Sequence, residues 1–216
     1  MRVDLHCHTC YSRDSLTTYD ELLRGMDRRG LGKVAITDHN VIAGALDFYA
    51  RAPDRFLMGE EIKTTHGELI ALFIEERIPP GLSPQDTIAR AHAQGGLIGA
   101  PHPLDRLRSE ALGRRTLEAI HEQLDFLEVF NARISFARDN RLARELAARW
   151  GLPGSAGSDA HAPSEVGRAY IEIPPFDDPA SFLDSLAQGQ IGGRLSGPWV
   201  HFFSTYAKWC RRLGVK

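Results

Sequence analysis

Short apolar runs alternating with amphipathic stretches constrain this chain more than any other feature. VDLHCH, KVAITDHN, RFLMGEEIKT, GELIALFIEE, GGLIGAPHP, DFLEVFN, LPGSAGSDAH and AYIEI read as strands. Between them, residues 18–30, 41–51, 84–94, 109–124, 136–150 and 179–189 carry helical patterns. The first of these starts on a Thr or Asp cap and stops at Gly30. Repeated strand-then-helix order predicts an α/β fold on a parallel sheet, open or closed into a barrel. The 216 residues suffice for one good-sized domain, and no internal repeat or low-complexity linker divides them.

Polar residues gather at one end of this pattern. His6 and His8, Asp38 and His39, Glu61, His102, Asn131, Asp159 and His161 fall at or just after the C-terminal ends of predicted strands. Ligands bind along that edge in parallel α/β folds. In the first strand, alternation puts Val3, Leu5 and Cys7 on one face and Asp4, His6 and His8 on the other. Cys7 is then a core residue. Imidazole and carboxylate together suit zinc, manganese or iron. Five such histidines exceed what one ion needs, so two or three divalent ions are expected. Adjacent ions need a bridging carboxylate, and strand alternation favours Glu61 over Glu60. Clustered ions acidify bound water and neutralise phosphoryl oxygens during in-line displacement. No nucleophile elbow, P-loop or Ser-His-Asp order competes with that chemistry.

Arg106 and Arg108 in PHPLDRLR, and Arg133 in VFNAR, leave the same edge, and guanidinium is well shaped for phosphate oxygens. Lys63 shares a strand face with Glu61. A net charge of −2 excludes a basic surface strong enough for long nucleic acid. Cys7, Cys10 and Cys210 lack zinc-finger spacing and are odd in number, which predicts a reducing, cytoplasmic setting without a disulfide framework. Arg2 and Asp4 followed at once by histidines do not read as a signal peptide, and no apolar run approaches a membrane span.

Five blocks, DLHCHTCYS, AITDHN, GEEIKT, APHP and GSDAH, occur in order over residues 4–161. Together they resemble the polymerase and histidinol phosphatase (PHP) domain family. The resemblance implies a distorted seven-stranded β/α barrel with a two- or three-metal site at its C-terminal face. It implies hydrolysis of a small phosphorylated substrate by a metal-bridging hydroxide. By the same resemblance His6, His8, Glu61 and Asp159 would hold the first ion. Glu61 would bridge to a second ion on His102, and its G-x-E spacing fits the family. His39 and His161 would hold a third with Asp14, and Asp38 would orient a ligand or a bound water. Arg106 and Arg133, from their place on the loops leaving that edge rather than from the resemblance, are expected to hold the phosphate. Histidinol-phosphate phosphatase and 5′ exonuclease on short oligonucleotides are the alternative activities. A non-catalytic metal-binding regulatory module is the alternative of another class. Two positions depart from the family pattern. The first-block acid comes one place late, after Ser12 and Arg13, and the strand GELIALF lacks the usual histidine, so that Glu68 or His66 is left to substitute.

The expected organisation is one catalytic domain over residues 1–216 with a C-terminal extension over about 190–216 that adds a helix. In that helix Trp199, Phe202, Phe203, Tyr206 and Trp209 recur at helical spacing beside Lys208, Arg211 and Arg212. The stripe is expected to pack on the barrel, its alternative use being contact with a partner or an anionic membrane surface. His92, His121 and His201 fall on helical stretches away from the predicted site.

Overall fold

In the computed structural model, which describes residues 1–197 and 199–214 apart from the His201 side chain, the chain runs through nine strands and seven α-helices. Of the predicted extension, Pro198, Val215, Lys216 and the His201 side chain lie outside the described residues. The first half is β1 (Arg2–Cys7), α1 (Tyr19–Arg29), β2 (Leu31–Ile36), α2 (Ala43–Arg51), β3 (Phe56–Thr64), β4 (Gly67–Leu72) and α3 (Pro84–Ala93). The second is β5 (Leu97–Ala100), α4 (Gly113–Ile120), β6 (Phe126–Asn131), α5 (Ala137–Trp150), β7 (Gly154–Gly157), β8 (Ala169–Glu172), α6 (Pro179–Ala187), β9 (Gln190–Gly193) and α7 (Val200–Arg212). Local chemistry sets the helix ends. Ser83 Oγ accepts from Asp86 N at 3.0 Å ahead of Pro84, and Asp178 Oδ1 accepts from Ser181 N at 2.8 Å ahead of Pro179. Gly30 closes α1 at φ 64°, a conformation that costs glycine little.

The sheet order is β7-β6-β5-β4-β3-β2-β1-β8-β9. The predicted α/β barrel is present, with its first seven strands consecutive and two more added beyond β1. Its two ends nearly close. Beyond the paired start of β1, Asp159 N donates to His6 O at 2.8 Å and His8 N donates to Ala160 O at 2.9 Å. The start of β1 pairs instead with β8. The sheet is mixed rather than parallel: β4 runs antiparallel to both β3 and β5, and β8 and β9 are antiparallel as well. Only Thr65 and His66 separate β3 from β4, and a parallel crossover needs a dozen residues or more. β9 is the strand not anticipated, since QIGG offers a single apolar residue.

Helices α1 to α5 bury Leu22, Met26, Phe48, Ile88, Leu117 and Leu146 in one cluster with strand residues such as Ile36, Leu69 and Leu127. Phe182 and Leu186 of α6 join a second cluster with Val3, Leu5, Ala35 and Phe126. Strict alternation along β1 fails. Val3 and Leu5 belong to the second cluster but Cys7 to the first, and the pairing with β2 shifts register between Asp4 and Cys7. Asp4 therefore stays apart from the imidazole cluster and accepts from Ser158 Oγ at 2.5 Å, Gly167 N at 3.0 Å and the His6 backbone N at 3.3 Å. Cys7 remains a core residue.

Helix α7 corrects a second expectation. It packs through Val200, Ala207 and Cys210, and its aromatic stripe faces outward. Trp199 is 73% exposed and Phe202 70%.

Glu60 carries a stability consequence. It is fully buried, Ile78 N donates to its Oε2 at 2.9 Å, and Arg77 Nε stands 3.9 Å from its Oε1. Burial pushes its pKa up from 4.5 to about 7. A folded-state acid with a raised pKa costs stability progressively as pH climbs from its unfolded value through its folded one. Glu60→Gln keeps the Ile78 contact without the charge. Thermal melts should show the variant more stable by about 2 kcal/mol at about pH 8, with the gain gone at about pH 4. An equal difference at both values would mean that the Glu60 charge is not the source.

Candidate metal centre

Five imidazoles and four carboxylates converge where the strand ends meet. His6 and His8 come from the end of β1 and the turn after it, and His39 follows β2. Glu61 lies within β3 and Glu68 near the start of β4. His102 follows β5, Asp159 and His161 follow β7, and Asp14 comes from the loop after β1. Except for His39, all are buried.

The distances are those of shared ligation. His6 Nε2 and His8 Nε2 are 3.2 Å apart, and each is 3.3 Å from Glu61 Oε2. Asp159 Oδ1 is 3.7 Å from His6 Nε2 and 3.3 Å from His8 Nε2. Two donors bound tetrahedrally to one ion at ordinary ligand distances lie about 3.3 Å apart. Ligand atoms of His6, His8 and Glu61 all lie within 4.8 Å of one another, as do those of His6, His102 and Asp159, so each trio fits part of a cation's ligand shell. The other Glu61 oxygen, Oε1, is 3.0 Å from His102 Nε2. The two oxygens of one carboxylate thus face different imidazole groups, as a bridging ligand requires.

On the outer side, His39 turns Nδ1 to Glu61 Oε2 at 3.1 Å and Nε2 to Asp14 Oδ2 at 3.6 Å. His161 Nε2 is 3.5 Å from Asp14 Oδ1. Glu68 spans His39 and His102, with Oε1 3.7 Å from one and Oε2 3.9 Å from the other. His66 is exposed, with Nδ1 2.9 Å from Thr65 Oγ1. Of the two candidates on this stretch, only Glu68 joins the cluster.

Surrounding groups aim the rings. Glu128 Oε1 lies 3.1 Å from His6 Nδ1, Ser12 Oγ 3.3 Å from His8 Nδ1, and Asp159 O 2.8 Å from His161 Nδ1. In each ring a hydrogen bond at Nδ1 leaves the Nε2 lone pair facing inward, the tautomer a ligand needs. Glu128 Oε2 also accepts from His102 N at 2.6 Å and from Asn131 Nδ2 at 3.0 Å. His102 and Asp159 have φ of 28° and 53°, backbone conformations that cost non-glycine residues on the order of 1–3 kcal/mol. Of the four non-glycine residues at positive φ among the described residues, these two contribute to the cluster.

The electrostatics suit a cation. Burial opposes ionisation of Glu61, yet His6, His39 and His102 hold it well below the usual carboxylate range. Burial likewise opposes Asp159, which Arg108 and His6 hold well below its usual value. Burial and then His161 and His39 push His8 well down, which keeps it neutral. Glu68 is pushed up to about 9 by burial and by Glu61. Glu61 Oε2, Asp159 Oδ1 and Asp14 Oδ1 are buried and accept no hydrogen bond. Such acceptors, left without donors beside inward imidazole lone pairs, fit divalent cations.

Other predicted residues are placed elsewhere. Asp38 accepts from Thr9 N and Thr9 Oγ1, both at 2.6 Å, and is also hydrogen-bonded to Ser12, whose Oγ stands at His8 Nδ1, so it supports the loop that orients His8. Arg106 turns out to Asp139, with Nη2 donating to Oδ1 at 2.7 Å. Arg108, two residues on, donates to Asp159 Oδ2. Arg133 is buried and donates to Asp159 O at 3.3 Å, Val200 O at 3.1 Å and Ser204 Oγ at 3.2 Å. A cleft of about 1000 Å³ opens over the cluster, and Arg13, Lys63, Arg77, Arg108, Arg133 and Lys208 line it. Glu128 was missed from the sequence. Its signal was a lone charge inside the apolar run DFLEVFN, and a buried charge requires partners.

If Glu128 orients both histidines, Glu128→Gln should weaken metal binding by about 10–100-fold. Competition with a chromogenic chelator measures this, and unchanged affinity would remove Glu128 from that role.

Comparisons with known proteins bear on the family and the fold. The PHP domain model matches residues 4–95, and the PHP-associated model matches residues 137–191. The uncharacterized protein MJ1587 of Methanocaldococcus jannaschii is 41% identical over 145 residues, covering 61% of this chain and 82% of that protein. MJ0417 of the same organism is 36% identical over 196 residues, covering 86% and 79%. Among solved structures, a Bacteroides vulgatus two-domain protein containing a predicted PHP-like metal-dependent phosphoesterase superposes with a TM-score of 0.73 at 17% identity. That match covers 90% of this chain but only 65% of the other. An amidohydrolase from Chromobacterium violaceum superposes with a TM-score of 0.66 at 19% identity, over 88% and 97% of the two chains. With both family models matched in order and two relatives above one-third identity along most of their length, the chain belongs to the PHP domain family.

Proposed function

We propose that this chain is a metal-dependent phosphoesterase that hydrolyses a small phosphorylated substrate, acting as a single catalytic unit. The observation that carries the reading is the convergence of two sets of donor atoms, His6, His8 and Glu61 and then His6, His102 and Asp159, each within 4.8 Å of one another, with the other Glu61 oxygen 3.0 Å from His102. His39, His161, Asp14 and Glu68 extend the same cluster outward and would hold a further ion. Divalent ions on these donors would acidify a water near neutral pH and offset charge on the phosphoryl oxygens.

The remaining work falls to the chain itself. Glu128 and Ser12 fix the imidazoles. The cleft's cations draw in an anionic group, and two of them pair with cluster carboxylates, Arg108 with Asp159 and Lys208 with Asp14 at 3.4 Å. Arg133, with its hydrogen bonds committed to Asp159 and α7, holds the wall of the cleft. Arg106 is spent on Asp139 and is not needed.

The test is a phosphate-release screen with added zinc or manganese over mononucleotides, sugar phosphates, histidinol phosphate and short 5′-phosphorylated oligonucleotides. Release is expected from small monoesters. Arg108→Ala should lower kcat/KM by about 10–100-fold, whereas Arg106→Ala should stay within about threefold of the parent. Failure to release phosphate from every substrate by metal-loaded protein would overturn the reading in favour of a metal-binding module. Efficiency rising with oligonucleotide length would favour the exonuclease.

A further inference from the structure

Helix α7 lies beyond the segments matched by the family models, and its orientation is set by its inner face. Val200, Ala207 and Cys210 are buried, Arg211 donates to Cys10 O and, at 3.3 Å, to Ser15 O, and Arg133 donates to Val200 O. Trp199, Phe202, Phe203, Tyr206, Trp209 and Leu213 therefore form a single outward stripe. An aromatic patch of this extent on a free surface marks a site of interaction.

Charge identifies the occupant. Residues 194–216 contain Arg194, Lys208, Arg211, Arg212 and Lys216 and no acid, although the whole chain has a net charge of −2. Arg13, Lys208, Arg211 and Arg212 line, with Thr205 and Trp209, a hollow of about 780 Å³ at the helix's C-terminal end, where Lys208 also pairs with Asp14 at 3.4 Å. A second copy docking on this face would set cations against cations. An anionic lipid surface complements both parts, because Trp, Tyr and Phe settle at the headgroup level and lysine and arginine pair with lipid phosphates.

We propose that α7 anchors the protein to anionic bilayers, with the aromatic stripe inserted among the headgroups and lipid phosphate held in the hollow. Arg13 and Lys208 line both the hollow and the cleft over the metal cluster, so docking brings the cleft mouth to the membrane surface.

The test is co-sedimentation of the whole chain with phosphatidylcholine vesicles, with and without phosphatidylserine, at low and high salt. The parent should pellet with the serine-containing vesicles at low salt and remain soluble with phosphatidylcholine alone. Its tryptophan emission should shift to the blue on binding. Arg212→Gln should weaken binding about fivefold. The double variant Phe202→Ser, Trp209→Ser changes exposed side chains only, and should lose vesicle binding with its circular dichroism unchanged. No pelleting of the parent with anionic vesicles would overturn the proposal, as would pelleting that survives the double substitution. A parent that light scattering shows as a dimer, and a double variant that is a monomer, would overturn it in favour of self-association.

Discussion

Glu61→Gln should cut phosphate release about a thousandfold, equivalent to about 4 kcal/mol of transition-state stabilisation, and should lower metal content in parallel. Glu61 Oε1 faces His102, and Oε2 faces His6, His8 and His39. Those three rings and the carboxylate leave no donor for Oε2. An amide in this position would carry no charge and would turn an N–H₂ group toward nitrogens that offer lone pairs to a cation. Only one of its two ends could still act as a ligand, so the link between neighbouring ions would break. Glutamine nearly matches glutamate in volume, so the melting temperature without added metal should change little. Activity within tenfold of the parent at equal protein concentration would show that Glu61 does not bridge.

Gly157→Ala should cost about 3 kcal/mol and lower the melting temperature by about 5–10 °C. A Cβ at Gly157 would stand 2.2 Å from His6 Cβ, 2.9 Å from His6 N and 2.8 Å from Glu128 Oε1. The first two are backbone or backbone-adjacent atoms that cannot rotate aside. β1 and β7 must separate, and the bonds from Asp159 N to His6 O and from His8 N to Ala160 O lie directly beyond the point of contact. Metal content should therefore fall with stability, although no ligand has been touched. A variant that melts with the parent and binds metal equally would show that the barrel ends are not closed this tightly.

What could be read from the sequence depended on how rare each signal was. Histidines at the ends of apolar runs stand out, and His6, His8, His39, His102 and His161 meet in one cluster as their positions suggested. Carboxylates are common on surfaces, so Glu128 was hidden among them, and Glu68 stood out only as a substitute, beside His66, for a missing histidine. Both acids sit inside apolar strands, GELIAL and FLEVFN, where a charge has to find partners, and for Glu128 that context was the overlooked cue. Arg106 and Arg108 occupy a loop with no periodicity, and only the fold shows that the second turns inward. In β1 a register shift separates Asp4 from the imidazole cluster, and alternation carries no signal of a bulge. In α7, helical spacing identified an aromatic face but not which face the barrel would cover. Small residues at Ala207 and Cys210 permit close packing and made the less conspicuous face the buried one.

Under the proposed function, cations would be held by the His6, His8, Glu61, Asp159 and His102 set, and elemental analysis of the purified chain measures them directly. After equilibration with zinc or manganese and removal of loosely bound metal, the parent should retain about two ions per chain, and a third where Asp14, His39 and His161 are also filled. Asp159→Ala should fall clearly below the parent under the same treatment. Fewer than about one ion per parent chain, or an unchanged content in Asp159→Ala, would contradict a metal centre at this cluster.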